Sequence, residues 1–316
     1  MNLTGLDTRG WRLHPCPACQ TSDFTPLAHH DRYGFRITTS GCNTCGLVQT
    51  NPRPDAAWLD AFYATRYRWL YQSVVRPDAD YLRRTKKLER AAQHAEALAE
   101  LADLPDRPRV LDVGSAEGCL LAAIAARLPG AELHGVEPDA EFRGFSRTLC
   151  PTLRAYARID DALLGGQTFD LITLIHVFEH LPDCVPVLAR LARHLADGGR
   201  IILDVPNVSR YRTIGDLHIA HLFHFSEATL TRVAQQAALR VDRLDRHQTV
   251  RHPPSLRAVC VRAPAGSAAE PPPDRCAWPI IRGLWKHRRL HMLRRPGRLA
   301  AIVRARGRLA VGKLRS

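Results

Sequence analysis

Residues 110–118 (VLDVGSAEG) constrain the fold of this chain more than any other segment. An apolar run leads into a glycine-bearing turn, and residues 119–128 (CLLAAIAARL) follow with the pattern of a buried helix. A buried strand that passes through such a turn into a helix is typical of parallel α/β sheets. Glycine lets the backbone approach a ligand closely, and the first N–H groups of a helix have no intrahelical partner. The segment therefore predicts an α/β fold with a nucleotide-type cofactor site, although such a turn also serves packing alone.

Two downstream segments predict the next strands of the same sheet. Residues 131–139 (AELHGVEPD) predict a short strand ending at Glu137, where an acid is placed to accept hydrogen bonds from ribose hydroxyls. Residues 169–183 (FDLITLIHVFEHLPD) predict a central strand covered on both faces, with His176 and His180 just beyond its end. The elements therefore alternate as β–α–β–α.

The remainder of the domain continues this alternation. The next predicted helix ends at Gly198 and Gly199. Its apolar positions are Val185, Leu188, Leu191 and Leu195. Residues 200–207 then predict a strand, and Ser226 predicts the N-cap of another helix. Residues 239–246 and 255–263 predict two strands joined by a polar loop.

Four blocks in this order resemble the class I S-adenosylmethionine-dependent methyltransferases: VLDVGSAEG, GVEPD, FDLITLIHVFEHLPD and LADGGRIILDVPN. The resemblance covers residues 107–263 and implies a Rossmann-like, doubly wound, seven-stranded sheet whose last two strands are antiparallel. A dinucleotide oxidoreductase fits less well, because the turn lacks the G-x-G-x-x-G pattern. Carboxylates at Asp112 and Glu117 complement the sulfonium and α-amino groups of this cofactor, whereas a pyrophosphate would favour cations.

The resemblance also assigns residues to the cofactor, S-adenosyl-L-methionine. It places the glycine turn along the methionine moiety, Glu137 on the ribose, Asp160 or Asp161 beside the adenine, and His176 towards the methyl-transfer cleft. The candidate cofactor-binding residues are Asp112, Gly114, Ser115, Gly118, Glu137, Asp160 and His176.

Two C-x-x-C pairs precede this domain, separated by 22 residues: Cys16, Cys19, Cys42 and Cys45. This spacing predicts a zinc ribbon with a structural Zn2+, since four thiolates leave no open coordination position for catalysis. Two disulfides or a redox pair are the alternatives. The sequence shows no signal peptide and no apolar span of membrane length, so we expect a cytoplasmic protein with reduced thiols.

The cysteine pairs, an aromatic segment with Tyr63 and Tyr67, and the cofactor turn together look like bacterial methyltransferases of sugar and cell-surface polysaccharide pathways. In the C-methyltransferases of that group a Tyr-x-Glu-His element carries the base. Here His221 matches the histidine, whereas His218 and Ala220 replace the tyrosine and the glutamate. Carbon methylation beside a ketone needs a stronger base than methylation of a hydroxyl. We therefore expect O- rather than C-methylation of a sugar or glycan-type small molecule.

The candidate catalytic residues are His221, His180 and His176, and each could instead be a packing residue. His224 is a further such histidine, and Asn207 could either position the substrate or cap the next element. Two other function classes stay open. One is an RNA methyltransferase that binds nucleic acid through the cysteine module and a basic tail, and the other is a non-catalytic binding protein that keeps the fold.

Charge is concentrated at the carboxyl end. The net charge is +14, and residues 266–316 hold thirteen Lys and Arg against two acids, so +11 lies there. We divide the chain into a zinc ribbon (1–50), an aromatic and helical linker and lid (51–105) containing one long helix, the methyltransferase domain (106–264), and a proline-rich linker with a basic tail (265–316). The tail predicts two basic amphipathic helices. Three alternatives stay open for them: they bind an anionic membrane surface at the inner face, they bind nucleic acid, or they pack on the protein.

Overall fold

The computed structural model describes residues 10–32, 35–63, 67–68, 76–101, 103–264 and 271–287. Within them, the predicted doubly wound sheet is confirmed. Its seven strands run in the spatial order β10-β11-β8-β7-β4-β5-β6. Their bounds are β4 Arg109–Val113, β5 Glu132–Val136, β6 Arg154–Tyr156, β7 Phe169–Ile175, β8 Leu195–Pro206, β10 Leu239–His247 and β11 Ser255–Arg262.

Strand direction follows the expected pattern. The neighbours β8, β7, β4, β5 and β6 are parallel, and the last two strands of the chain are antiparallel. Because β4 is an interior strand of the sheet, its alternate side chains enter different cores: Val110 belongs to the same buried cluster as Leu98 and Leu121, and Leu111 belongs to that of Leu188. Both strand residues are fully buried, and burying one such side chain contributes about 1.5–3 kcal/mol.

Nine helices accompany the strands in the described part of the chain. Their bounds are α1 Ala56–Phe62, α2 Ala79–Thr85, α3 Lys87–Leu101, α4 Cys119–Arg127, α5 Ala140–Leu149, α6 Ile159–Leu163, α7 Cys184–Arg193, α8 Glu227–Gln236 and α9 Ala277–Lys286. The N-cap predicted at Ser226 is confirmed, because its side chain accepts from Thr229 N at the start of α8.

Two predicted helix boundaries were wrong. Leu195 begins β8, and α7 already ends at Arg193, so Gly198 and Gly199 lie within the strand and not at a helix end. The long helix of the linker is broken at Lys86, which adopts a left-handed conformation with φ 54° between α2 and α3. This break turns the chain so that Tyr81 of α2 packs on Phe142 while Lys87 reaches Glu117.

The cysteine-rich segment forms a second sheet that is continuous with the rest of the protein. Its strands are β1 Phe24–Ala28, β2 Thr39–Cys42, β3 Val48–Thr50 and β9 Phe223–His224, in that order. Strand β9 comes from the methyltransferase domain and pairs with β3 through Val48 opposite His224. The predicted ribbon at residues 1–50 is therefore completed by a strand from the segment that contains His221.

Helix α9 packs on this second sheet. Trp278, Ile281 and Leu284 are buried, and Trp278 Nε1 donates to the carbonyl oxygen of Gly46 at 3.1 Å. The proline content of residues 263–279 (APAGSAAEPPPDRCAWP) predicts an extended spacer. This prediction was wrong at its end, because α9 starts at Ala277. This helix supports packing on the protein among the three alternatives for the tail. The rest of the tail, residues 288–316, lies outside the described residues, so its membrane and nucleic-acid contacts stay predictions. Among the described helices, none has the length and apolar character needed to cross a membrane.

Candidate functional site

The glycine turn closes over the ends of β4 and β5. The backbone N–H groups of Gly114 and Ser115 both donate to the carbonyl oxygen of Val136, at 2.8 and 2.9 Å. Gly114 has φ +79°, and a Cβ on it would lie 2.3 Å from Val177 Cγ2. Gly118 has φ +81° and would clash in the same way with Ser146 at 2.7 Å. A side chain at either position would therefore force the turn apart.

Glu137 follows β5 and turns its carboxylate back to this loop. Oε2 accepts from the backbone N–H of Ala116 at 3.0 Å, and Oε1 accepts from that of Asp139 at 2.9 Å. The Arg68 guanidinium also donates to Oε2 at 2.8 Å. Three donors thus hold the carboxylate that the sequence assigned to the ribose.

Asp112 lies beneath the turn at the end of β4. Only 4% of the residue is exposed, and Thr173 Oγ1 donates to Asp112 Oδ1 at 2.7 Å. Burial raises the pKa of this carboxyl to about 7, although the Thr173 hydrogen bond opposes the shift. A cation placed against Asp112 would favour the ionised form.

Glu117 has a different role from that of a helix first-turn acid. It precedes Gly118, which is the N-cap of α4, and it accepts from Lys87 Nζ at 2.9 Å. Burial by itself raises the pKa of Glu117, but the charge and hydrogen bond of Lys87 together with the charge of Arg68 lower it. Glu117 therefore joins the cofactor turn to α3.

A cavity of about 1030 Å³ opens beside the turn. Among the described residues that line it, the predicted ones are Asp112, Gly114, Ser115, Glu137, Asp160, His176 and His180, together with Tyr63 and Tyr67. Two other predicted site residues, Gly118 and His221, do not belong to this described lining. Asp160 pairs with Arg190, which also lines the cavity. All of the predicted cofactor residues except Gly118, and two of the three predicted catalytic histidines, therefore share one space.

The three candidate histidines surround Glu179, which is 1% exposed. Its Oε1 lies 3.6 Å from His176 Nδ1, 3.7 Å from His180 Nε2 and 3.7 Å from His221 Nε2. Burial lowers the pKa of His180, and it lowers the pKa of His221 well below the ordinary value. Both rings are therefore neutral near pH 7 and have a lone pair.

Hydrogen bonds outside this group fix two of the rings. Tyr63 Oη lies 2.8 Å from His180 Nδ1, and the rings of Tyr63 and Tyr67 pack edge-on against His180. His176 has a positive φ of 54°, and its Nε2 lies 3.2 Å from Ser255 Oγ. Tyr63 and Tyr67 of the linker therefore contact the histidine group around Glu179. The aromatic segment of the sequence also contains Trp69 and Tyr71, which lie outside the described residues.

Two further candidates have structural roles. Asn207 Oδ1 accepts from Ser209 N, so the amide caps the short turn after β8. His224 lies in β9, and its Nδ1 is 3.0 Å from Tyr211 Oη. Asn207 is therefore a capping residue, and His224 is a packing and hydrogen-bonding residue.

Sequence reasoning missed a buried charged network behind His176. Asp204, at the end of β8, accepts from Arg257 at 3.1 Å and lies 2.8 Å from His247 Nε2. Burial by itself raises the pKa of Asp204, but the His247 hydrogen bond and the nearby histidines lower it to about 2. The available signal was a charge within each of two apolar strands, at Asp204 and Arg257. Asp204 Oδ1 lies 3.6 Å from His176 Nε2, so the network lies directly behind the histidine group around Glu179.

The four predicted metal ligands converge. All four sulfur atoms lie within 4.8 Å of one another, and the Cys16–Cys45 and Cys19–Cys42 Sγ pairs are each 3.5 Å apart. In a tetrahedron of Zn–S bonds of about 2.3 Å the sulfur atoms are about 3.8 Å apart. Every described cysteine is a free thiol, so the disulfide alternative is not observed. The site fits a closed four-thiolate zinc centre.

The chain matches known proteins over its α/β domain. Residues 84–244 match the family model described as a methyltransferase domain. The chain is 32% identical over 120 residues to the trans-aconitate 2-methyltransferase of Rhizobium meliloti strain 1021, which covers 38% of the chain and 46% of that protein. It is also 32% identical over 105 residues to the ubiquinone biosynthesis O-methyltransferase of Xanthomonas oryzae pv. oryzae strain PXO99A. That match covers 31% of the chain and 43% of that protein. The chain spans about half the length of the curated relatives it matches.

One solved structure is similar to part of this chain at low identity. Magnesium protoporphyrin IX methyltransferase from Synechocystis PCC 6803, with bound S-adenosylhomocysteine, superposes with a TM-score of 0.48 at 16% identity, covering 66% of this chain and all of that one. The family match takes in every strand of the parallel sheet and the cofactor turn. The chain therefore belongs to the methyltransferase domain family, as a class I S-adenosylmethionine-dependent methyltransferase.

Proposed function

We propose that this chain transfers the methyl group of S-adenosylmethionine to a hydroxyl oxygen of a sugar or glycan-type small molecule. The observation that carries the proposal is the shared cavity, in which His176 and His180 face the same space as Asp112 and Glu137. A cofactor held by the two carboxylates would present its methyl group on the side of the histidines.

The residues present fit this cofactor. Gly114 leaves space that a Cβ would fill, and the buried Ser115 Oγ has no hydrogen-bond partner among the described residues. Asp112 can pair with the α-amino group, and Glu137 can accept from the ribose hydroxyls. When bound, the sulfonium supplies an activated methyl group. A phosphate-binding role would need donors where the chain has Asp112 and Glu117.

The chain's own residues would orient and desolvate the reacting groups. Tyr63, Tyr67, His176 and His180 line the cavity together with the two carboxylates that would hold the cofactor. Holding two reactants in line accounts for much of the rate enhancement in such displacements. One of the three candidate histidines then accepts the proton that the acceptor hydroxyl loses.

The residues around His221 support oxygen over carbon as the acceptor atom. Ala220 and His218 replace the partners that carbon methylation uses in the related group, and Ala220 is fully buried without a polar side chain. A hydroxyl needs only modest proton removal during displacement. Arg90 and Arg251 on the cavity wall offer donors that suit a hydroxyl-rich or anionic acceptor.

We further propose that the cysteine cluster binds a structural Zn2+. The metal would stiffen β2 and β3, against which β9 and hence the His221 segment are paired. Four thiolates close the coordination sphere, so this ion would take no part in the transfer.

Incubation of the full chain with methyl-labelled cofactor tests the proposal. The acceptors are separate fractions of nucleotide sugars, glycolipid, RNA and trans-aconitate, and Glu137→Ala is the matched inactive control. Label in the nucleotide-sugar or glycolipid fraction, lost in the control, is the expected result. Label confined to RNA or to trans-aconitate would overturn the sugar acceptor, and no label anywhere despite cofactor binding would favour a binding protein.

A further inference from the structure

The carboxylate of Glu179 is buried without a hydrogen bond. The residue is 1% exposed, and neither Oε1 nor Oε2 has a hydrogen-bond partner among the described residues. Burying a polar group without such a bond costs free energy, and an ionised carboxylate costs more than a neutral group. Some ligand that satisfies this carboxylate is therefore expected.

Imidazole nitrogens approach the same oxygen from several sides. Nε2 of His180 and Nε2 of His221 each lie 3.7 Å from Glu179 Oε1, beyond hydrogen-bond distance. The rings of His180 and His221 are nearly perpendicular, at 83°, with centroids 4.9 Å apart. The two nitrogens and the carboxylate oxygen thus surround a point that they do not fill.

We propose that Glu179, His180 and His221 bind a divalent first-row transition-metal ion beside the methyl-transfer cleft. Each residue offers one ligand atom, and these three atoms all lie within 4.8 Å of one another. Two ligand atoms about 2.1 Å from an ion at a tetrahedral angle are about 3.4 Å apart, close to the observed 3.7 Å. Two imidazoles and one carboxylate suit Zn2+, Mn2+, Co2+ or Fe2+ better than Ca2+ or Mg2+.

The surroundings hold the three side chains as ligands are usually held. His180 Nδ1 is bonded to Tyr63 Oη, which leaves Nε2 for the ion. The backbone N–H of Leu222 donates to the carbonyl oxygen of Glu179 at 2.9 Å, so the residue after His221 is tied to the residue before His180. The site therefore joins the end of β7 to the segment before β9.

Resting on the proposed function, this site names the acceptor class more closely: a hydroxyl, or a pair of vicinal hydroxyls, whose oxygen completes the coordination. His180 and His221 then act as ligands and not as bases. During transfer the new O–C bond forms as the C–S bond breaks, and the electron pair of that bond stays on sulfur as a neutral thioether. The hydroxyl proton passes to His176 Nδ1, which lies 3.6 Å from Glu179 Oε1.

Metal content measured on the full chain tests the site independently of turnover. Wild-type protein is stripped, reloaded with Co2+ and assayed for bound metal and for absorption. We expect one more equivalent in the wild type than in Glu179→Gln or His221→Gln, with only the sulfur-to-cobalt charge-transfer band of the cysteine site retained in the variants. His287→Gln, an exposed histidine outside the cluster, is the matched control and should keep the wild-type value.

Equal metal content and equal spectra in the wild type, Glu179→Gln and His180→Gln would overturn the metal site. Circular dichroism and thermal midpoints identify any variant that fails to fold. Because each of the three ligands is substituted separately, the metal content can be interpreted from any variant that folds. The proposed function fails differently: the extra equivalent of metal binds, yet no hydroxyl acceptor is labelled. Labelling of hydroxyls with no extra metal would leave the methyl transfer intact and refute only the metal.

Discussion

The backbone N–H of Leu222 donates to the carbonyl oxygen of Glu179 at 2.9 Å, and the carbonyl oxygen of Leu222 accepts from Thr50 N at 2.8 Å. One residue therefore connects the carboxyl end of the central sheet with the cysteine-rich sheet. The adjacent His221 carbonyl also accepts from Thr50 Oγ1. The cysteine module thus braces the segment that holds His221.

Because of this brace, we expect Cys42→Ser to impair methyl transfer by tenfold or more while leaving cofactor affinity within a few-fold of wild type. Loss of a structural zinc would loosen β3 and β9, whereas the cofactor turn lies on the other sheet. Turnover and cofactor titration measure the two effects. Cys276→Ser, an exposed cysteine outside the cluster, is the control. Full turnover of the Cys42 variant would show that the module does not support His221.

Cofactor affinity is expected to rise with pH through about 7. Burial raises the pKa of Asp112 to about 7, so below that pH its carboxyl is protonated before the cationic cofactor binds. Binding must then release this proton, which costs up to about tenfold in affinity for each pH unit below 7. Calorimetric titrations between pH 5.5 and 8.5 measure the slope. Asp112→Asn should flatten it, and an unchanged slope in that variant would assign the proton to another group.

Arg68→Gln is expected to tighten cofactor binding several-fold. The guanidinium occupies Glu137 Oε2, the atom proposed to accept from ribose, and it adds positive charge beside a cationic ligand. Titration of the variant checks this. Arg76→Gln, which removes an exposed ion pair with Glu141, should have no effect. Weaker binding by the Arg68 variant would mean that the arginine contacts the bound cofactor.

Tyr63→Phe is expected to lower kcat about tenfold with little change in the cofactor dissociation constant. The phenol hydroxyl lies 2.8 Å from His180 Nδ1 and sets which nitrogen carries the proton, and loss of such an outer contact typically costs 10–100-fold. Steady-state kinetics make the comparison. Tyr156→Phe removes a hydroxyl that contacts His134 instead and should leave kcat unchanged. Equal effects of both substitutions would indicate general destabilisation.

The sequence predicted those parts of the fold that local patterns specify. The strand–glycine turn–helix unit, the acid at Glu137 and the four cysteines each depend on a short motif, and the structure places all of them as expected. The break at Lys86 was missed because most residues around it are good helix formers, and the turn there is seen only in the contacts of Tyr81 and Lys87 with the domain. Likewise Leu195 continues the helical spacing of apolar residues, but in the structure it pairs with Phe169 at the start of β7.

The histidine group around Glu179 was only partly predictable. His176 and His180 follow a recognisable strand, but their arrangement around Glu179 depends on the return of His221 from a distant segment through β9. The Asp204–Arg257 pair similarly unites strands more than fifty residues apart. Long-range pairing of this kind leaves no periodic signal in the sequence.

Calorimetric titration of S-adenosylmethionine into the full chain, compared between wild type and Glu137→Ala, tests the cofactor site most directly. Glu141→Ala, an exposed acid four residues away, is the matched control. We predict saturable binding by the wild type and the control, and at least tenfold weaker binding by Glu137→Ala, since the ribose would lose a buried charged acceptor. Equal affinities in all three proteins, or no binding by the wild type at high micromolar cofactor, would contradict the assignment.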